Sequence, residues 1–233
     1  MIGGGTNSDM RKISGGQITT FSLLYCLITG LGCGSSWMLL RDVPLGDFRG
    51  LCLVAAGVVL IYLYAFVVYR VFIAAMPLPR GELAPGSRGE FVAHMNTLFY
   101  LMLFYPLTRT HFIPTPLMRL VYLALGARLG DNTYSGGLIM DPPLTSMGDN
   151  CIVGHDAVLF AHVIEGPRLA LYDIEIGHGV TIGATAVVMP DVRIGDCAVV
   201  CVGAVVTKGT QIGAGEVWGG IPARKLGMVK QPL

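Results

Sequence analysis

The second half of the chain carries an aliphatic or aromatic residue at every sixth position. Eight successive repeats keep this period, at Ile176, Ile182, Val188, Ile194, Val200, Val206, Ile212 and Trp218. The same period holds upstream at Leu129, Met147, Val153 and Leu159, and the phase then slips because the step from Leu159 to Ile176 is not a multiple of six. A repeat of this length describes a chain that turns after each short strand. The slip predicts an inserted loop at about residues 165–173.

Small residues recur two positions before the next aliphatic position, at Val180, Ala186, Val192, Ala198, Ala204 and Thr210. We expect three successive hexads to close one triangular coil, with aliphatic side chains stacked inside and small residues at the corners. Each coil buries its faces only against its neighbours, so several coils are needed. About five fit between Leu129 and Ala223. A sandwich of short strands is the alternative, but its turns would not keep a strict period over eight repeats.

The first half is too apolar for an ordinary soluble domain. Charged residues make up 13% of the whole chain, against about 25% in soluble proteins. No charge occurs at residues 13–40 or 51–69, and a bilayer needs about 20 apolar residues per helix. The sequence therefore predicts two transmembrane helices within residues 18–76, because buried helices of a globular domain would keep a polar outer face. The net charge of +1 excludes nucleic acid as a partner.

Basic residues flank the two predicted spans. Arg11 and Lys12 precede the first, and Arg70, Arg80 and Arg88 follow the second. Because positive charge stays on the cytoplasmic side, both termini are expected there. The chain is thus predicted to be an integral protein of a bacterial cytoplasmic membrane, in contact with lipid. Its predicted parts are a tail (1–17), two spans (18–76), a linker with interfacial or re-entrant helices (77–126), a cytoplasmic β-helix (127–227) and a tail (228–233).

The segments MGDNCIVG, IGHGVTIGATAVVMPDVRIGDCAVVCVGAVVTKG and GGIPARKL resemble the hexapeptide-repeat acyltransferases. The resemblance covers about residues 127–227, and VVTK followed by G-x-PAR is its most specific part. It implies a mainly β fold, a left-handed parallel β-helix, in an acyltransferase that uses acetyl-CoA or another acyl-CoA and no metal. It also implies a homotrimer, in which the catalytic histidine of one subunit faces the CoA groove of the next.

The resemblance also assigns site residues. His162 lies at the edge of the phase slip and is the implied general base, since a neutral imidazole can accept a hydroxyl proton near neutral pH. Glu165 or Asp173 could orient it, and Asp141 is implied to contact the acceptor. Gly136 and Gly137 stand where sugar-acetylating members have an asparagine, which leaves the acceptor type open. The implied CoA-binding residues are Ala184, Val202, Thr207, Lys208 and, near the phosphates, Arg224.

The other histidines favour structural roles. His94 and His111 are expected at the membrane interface, and His155 and His178 at outward positions of the coils. Six cysteines without a CxxC pair indicate reduced thiols rather than disulfides or a zinc site.

Three functions remain open at this point. An acyltransferase acting on a glycan or lipid-linked acceptor is favoured, because anchoring would raise the local concentration of such an acceptor. A metallo-lyase of the γ-carbonic-anhydrase type needs three protein ligands for zinc. Here only His155 and His162 are candidates, with six residues between them where the resembling enzymes have four. A non-catalytic membrane scaffold would need neither VVTK nor the PAR segment.

Overall fold

The computed structural model describes residues 11–110 and 112–230. His111, most of the predicted N-terminal tail and the end of the C-terminal tail lie outside the described residues. The chain forms two compact units. The helical unit comprises Lys12–Pro77 and His94–Tyr105. The described residues of the β-helix unit are Arg11, Leu78–Ala93, 106–110 and 112–230. Residues 77–126, which the sequence suggested as a linker with interfacial or re-entrant helices, are divided between the two units.

The helical unit contains two long helices, α1 (Gly15–Leu40) and α2 (Arg49–Ala75). Both are long and apolar enough to cross a membrane. Ser14 begins α1 through a capping box, in which its side chain accepts from the Gln17 amide and the Gln17 side chain accepts from the Ser14 amide. The two helices pack closely where Gly32 faces Ile61, since a Cβ at residue 32 would collide with that side chain and its backbone.

The apolar run at residues 91–108 is helical but is not one regular helix. It comprises α3 (Arg88–Phe99), a π-helical turn (Tyr100–Phe104) and α4 (Tyr105–Arg109). Within the helical unit, Phe99 packs edge-on against Phe21, with ring centroids 5.5 Å apart. His94 is buried within the helical unit, with Nδ1 3.2 Å from Oε1 of Gln17.

In the β-helix unit, α5 (Thr115–Leu125) covers the first coil with one face. Tyr122 is fully buried on that face. Its hydroxyl donates to the Gly137 carbonyl and accepts from the Ile139 amide, at 2.9 and 3.2 Å. Burial raises the pKa of Tyr122 to about 12, so this hydroxyl keeps its proton as a donor.

The rest of the unit is built from short strands: β1 (Gly81–Glu82), β2 (Arg128–Leu129), β3 (Tyr134–Ser135), β4 (Leu138–Ile139), β5 (Thr145–Met147), β6 (Ile152–Val153), β7 (Val158–Leu159), β8 (His162–Glu165), β9 (Arg168–Leu171), β10 (Ile174–Ile176), β11 (Thr181–Ile182), β12 (Val187–Val188), β13 (Arg193–Ile194), β14 (Val199–Val200), β15 (Val205–Val206), β16 (Gln211–Ile212), β17 (Glu216–Gly219) and β18 (Arg224–Met228). Three sheets of parallel strands form the sides of the coil: β2-β5-β10-β13-β16, β3-β6-β11-β14-β17 and β4-β7-β12-β15. The last strand, β18, pairs antiparallel with β17. The predicted parallel β-helix preceded by apolar helices is therefore confirmed.

The repeat positions behave as the periodicity predicted. Ile182, Val188, Val200 and Val206 are fully buried in the core, and so are the corner residues Val180, Ala186, Val192, Ala198 and Ala204. At one corner of the β-helix, successive coils place a residue with positive φ, in the left-handed region. These residues are Asn150, Gly179, Cys197 and Gly215. Glycine and asparagine adopt this conformation most readily, and Cys197 shows that the fold imposes it on other residues as well.

The predicted loop at the phase slip is a β-hairpin. Thr181 pairs with Val199 in the following coil and with Ile152 in the preceding one, and the step back to Ile152 is longer by the inserted segment. The extra residues form β8 and β9, which pair antiparallel from His162↔Leu171 to Glu165↔Arg168. Strand β1, from the segment after α2, joins β9 and makes a three-stranded sheet outside the coil. The sequence predicted the insertion but not its strands.

Candidate active site

His162 is the first residue of the hairpin, at the point where the chain leaves the third sheet after β7. Its Nδ1 lies 2.6 Å from Oδ2 of Asp141. A carboxylate only accepts hydrogen bonds, so Nδ1 carries the proton in this contact. The lone pair of Nε2 is then available to accept a proton from another molecule. The imidazole is about a third exposed, which leaves it within reach of such a molecule.

Asp141 comes from the preceding coil, just after β4, and begins a 3₁₀ turn (Pro142–Leu144). Its backbone carbonyl accepts from the Leu144 amide at 3.0 Å. Its carboxylate is buried, and Oδ2 also accepts from the amide of Ala161 at 2.8 Å. One oxygen therefore holds both the imidazole of His162 and the backbone just before it. This double contact fixes the orientation of the ring.

The electrostatics of the pair favour a protonated ring. Burial lowers the pKa of His162, while the hydrogen bond and the negative charge of Asp141 raise it. The contribution of Asp141 is the greater, so the pKa of His162 lies above its ordinary value of 6.5. The imidazolium that forms when Nε2 takes up a proton is thus stabilised by a carboxylate already in contact with it.

The two carboxylates proposed from the sequence to orient His162 lie elsewhere. Side chains alternate along a strand, so His162 and Glu165 point to opposite faces of β8. Oε1 of Glu165 is 3.2 Å from Nζ of Lys208, and Oε2 is 3.3 Å from Nη1 of Arg168. The hydrogen bond from Lys208 lowers the pKa of Glu165. Oδ2 of Asp173 is 2.9 Å from Nε of Arg80. The carboxylate in contact with His162 is therefore Asp141. The resemblance had implied that Asp141 contacts the acceptor instead.

The residues expected to bind CoA lie along the edges of the third sheet. Ala184 and Val202 occupy the same corner of successive coils, and the Gly203 amide donates to the Ala184 carbonyl at 2.9 Å. Val202 is 73% exposed, although it is apolar. Thr207 and Lys208 follow β15 at the other edge, the edge at which His162 follows β7.

Arg224 begins β18 and is exposed, with Nη1 donating to the Ala223 carbonyl at 2.9 Å. The structure links Lys208 to the hairpin of His162 through Glu165, whereas the described contacts of Arg224 are local.

The remaining coil histidines are exposed, as their positions in the repeat predicted. The side chains of His155 and His178 are 68% and 63% exposed. Nδ1 of His178 accepts from the Asp149 amide at 3.0 Å. Within residues 11–110 and 112–230, no group of three or more His, Cys, Asp or Glu side chains is arranged to hold a metal ion.

Part of the chain is similar in sequence to known proteins. No protein-family model matches the chain. It is 38% identical over 86 residues to "Putative acetyltransferase YvoF" of Bacillus subtilis (strain 168), a match that covers 37% of this chain and 49% of that protein. It is 37% identical over 82 residues to the mitochondrial gamma carbonic anhydrase 1 of Arabidopsis thaliana, covering 35% of this chain and 26% of that protein.

Two of the solved structures to which this chain is similar are acetyltransferases. One is the hexapeptide-repeat acetyltransferase VCA0836 of Vibrio cholerae complexed with acetyl-CoA, with TM-score 0.41, 26% identity, and 46% of this chain and 62% of that chain covered. The other is a galactoside acetyltransferase in complex with CoA, with TM-score 0.48, 19% identity, and 70% and 91% covered.

The predicted resemblance to hexapeptide-repeat acetyltransferases is confirmed. The chain spans about half the length of YvoF and about a quarter of the carbonic anhydrase.

The contact between His162 and Asp141 predicts the direction of a titration shift. In the unchanged protein we expect the imidazole of His162 to titrate above pH 6.5. In Asp141→Asn the negative charge is gone and the burial remains, so the midpoint should fall. The measurement is NMR of the histidine Cε1 protons, with His162→Gln to assign the signal.

The raised pKa of His162 also makes the stability of the fold depend on pH. Because the pKa of His162 is raised in the folded state, its stabilisation of the fold is complete below the unfolded pKa and is lost as the pH rises through the folded pKa.

In the NMR titration, a midpoint of His162 in Asp141→Asn equal to that in the unchanged protein would contradict the pairing. His178→Gln serves as the control and should leave the His162 midpoint in place.

Proposed function

We propose that the chain is an acyl-CoA-dependent acyltransferase with His162 as the general base. The observation that carries the proposal is the hydrogen bond from Nδ1 of His162 to Oδ2 of Asp141, at the edge of the β-helix where the coil is interrupted. The name of the similar protein YvoF supports the same class of reaction.

The geometry supports one sequence of proton movements. Nε2 of His162 takes the proton of an acceptor hydroxyl as the hydroxyl oxygen attacks the carbonyl carbon of the thioester. The new carbon–oxygen bond replaces the carbon–sulfur bond, and the departing sulfur of CoA receives the proton back from the imidazolium. Asp141 stays ionised throughout and stabilises the imidazolium, as a carboxylate does behind any histidine base of this kind.

The donor in this proposal is acetyl-CoA or another acyl-CoA, lying along Ala184, Val202 and Thr207. Cationic side chains bind phosphate through charge-assisted hydrogen bonds, and Lys208 and Arg224 would supply them. Lys208 is held by Glu165, so this ion pair would open or rearrange when a phosphate arrives. We propose a homotrimer, in which His162 of one subunit faces the CoA-binding edge of the next. The exposed apolar side chain of Val202 would be covered in such an assembly.

The acceptor is proposed to be a glycan or a lipid-linked molecule. The asparagine of the resembling sugar-acetylating enzymes has no room at position 137, because a Cβ there would collide with the carbonyl of Ala157. The acceptor must therefore be oriented by other groups.

We propose that the protein is integral to a membrane, with α1 and α2 as spans and the β-helix unit on the cytoplasmic side. On α5, Leu117 and Leu120 are more than half exposed, and Phe112 just before it is 87% exposed. Apolar side chains on this face suit an interface with lipid.

Membrane integration predicts the result of alkaline carbonate extraction. We expect the protein to stay in the membrane pellet, because carbonate does not extract a protein that is held by two spanning helices. Release into the supernatant would contradict the anchor.

The general-base role predicts a selective loss of rate. In His162→Gln we expect the rate of acyl transfer to fall by about 10²–10⁴-fold, the range typical of a lost general base. Binding of CoA, measured by calorimetry on the detergent-solubilised protein, should persist because the donor lies on other residues. His178→Gln removes an exposed histidine of the same repeat and should keep the full rate. If His162→Gln transferred the acyl group at the full rate, His162 would not be the general base.

A further inference from the structure

The hairpin that carries His162 is not a free pair of strands. Gly81 of β1 pairs with Leu171 of β9, and Leu171 pairs with His162 of β8. The three residues therefore form one row across a three-stranded antiparallel sheet. Adjacent strands lie about 4.8 Å apart, so the backbone of Gly81 is about two strand spacings from that of His162. In the next row, Glu82 pairs with Ala170, and Ala170 with Val163.

Strand β1 is attached to the hairpin by backbone bonds and by burial. The Leu83 amide donates to the Leu169 carbonyl at 2.9 Å, which extends the ladder beyond β1 itself. Leu83, Ala170 and Leu171 are buried. A two-stranded hairpin is marginally stable in water, and a third strand with buried side chains is what makes such a sheet persist. The position of β8 and β9 therefore depends on β1.

Polar contacts hold the ends of the same sheet. Nη2 of Arg168 lies 2.6 Å from Oε1 of Glu82, and Nε of Arg80 lies 2.9 Å from Oδ2 of Asp173. At the hairpin turn, Nε of Arg11 donates to the carbonyl of Pro167 at 2.7 Å. Exposed ion pairs contribute little individually. The backbone ladder between β1 and β9 therefore supplies most of the hold on the hairpin.

We infer that residues 78–83 are a positioning strand for His162. This segment follows α2, which ends at Ala75, so the chain that leaves the apolar helices becomes part of the sheet that carries the imidazole. By fixing β9, and through it β8, this strand keeps Nδ1 of His162 on Asp141. Gly81 and Glu82 are positioning residues, because they act through the hairpin and do not touch a reacting atom. The role in catalysis rests on the proposed function of His162, whereas the hold on the hairpin does not.

A backbone substitution tests the strand without removing a side chain. Gly81 has φ +87°, and a Cβ there would meet no neighbouring atom. Gly81→Ala therefore strains the backbone of β1 without a collision. Gly46→Ala is the matched control, since Gly46 has φ +52°, equally open surroundings and a place in the connection between α1 and α2.

Hydrogen exchange measured by mass spectrometry on the full chain in nanodiscs gives the first readout. In Gly81→Ala, exchange of the amides at residues 163–171 should rise about tenfold, as local opening becomes easier by the strain introduced. In Gly46→Ala these amides should exchange as in the unchanged protein. If Gly81→Ala and Gly46→Ala exchange alike at residues 163–171, the inference is wrong.

Kinetics give the second readout, which a merely structural strand would not move. In Gly81→Ala we expect kcat to fall with little change in KM for acyl-CoA. The acid limb of the pH–rate profile should move to lower pH, because Asp141 raises the pKa of His162 less when the hairpin that carries His162 is loosened. Glu82→Gln removes the ion pair with Arg168 and should show the same trend more weakly. Glu175→Gln breaks a comparable exposed pair, with Arg193, and should change neither quantity.

The two readouts separate the inference from the function on which it rests. Faster exchange in Gly81→Ala, with no acyl transfer by the unchanged protein, would refute the proposed function and support the hold of β1 on the hairpin. An unmoved acid limb in an active Gly81→Ala would overturn the positioning role.

Discussion

Everything in the β-helix unit depends on the stacking of one coil on the next. A coil of three short strands has no interior of its own, so its aliphatic side chains are buried only when the neighbouring coils place theirs in register. Ile176 and Ile194 are paired in this way, as are Val188 and Val206. The register tolerates no side chain where backbones cross closely. At Gly183, a Cβ would collide with the backbone of Val202 in the next coil. Hence the repeat is strict where the coil is regular.

The site lies where this register is interrupted. Asp141 comes from the first coil and His162 from the end of the second, so only stacking brings them into contact. The hairpin then carries the chain out of the coil and back, and the antiparallel pairing with β1 fixes its course. The rigid coil thus supplies the carboxylate, while the inserted sheet supplies the imidazole.

The sequence predicted the repeat, the buried positions and the two apolar helices, because each of these is a matter of period or composition. The resemblance to the acyltransferases pointed to His162, which lies at the phase slip, and its role as general base stays a prediction. The sequence did not predict the contact with Asp141, because Gly136 and Gly137 shorten the first coil and the local spacing changes. Val158 pairs with Leu138 and Ile152 with Tyr134, and the first pair is more widely separated in sequence than the second. Aligning β4 with β7 would have placed Asp141 beside Ala161.

The remaining contacts could not be predicted from the sequence because they join residues that are far apart along the chain. Glu165 is close to His162 in sequence, yet its charge is satisfied by Lys208, which lies 43 residues away. Strand β1 is two residues long and has no period of its own, so nothing local marks it as a partner of β9. Both contacts depend on where the hairpin folds, and that is decided by tertiary structure. The roles of Ala184, Val202, Thr207, Lys208 and Arg224 remain predictions from the resemblance.

The most direct measurement of the central claim is a structure of the protein with a bound acyl-CoA analogue whose thioester is replaced by a stable thioether ketone. The account predicts that the carbonyl carbon of the analogue lies within about 6 Å of Nε2 of the His162 that faces it from the adjacent subunit, close enough for one hydroxyl to bridge the two. It also predicts that Nδ1 remains on Asp141 in the complex. An analogue bound with its carbonyl on a face of the β-helix away from His162 would contradict the account.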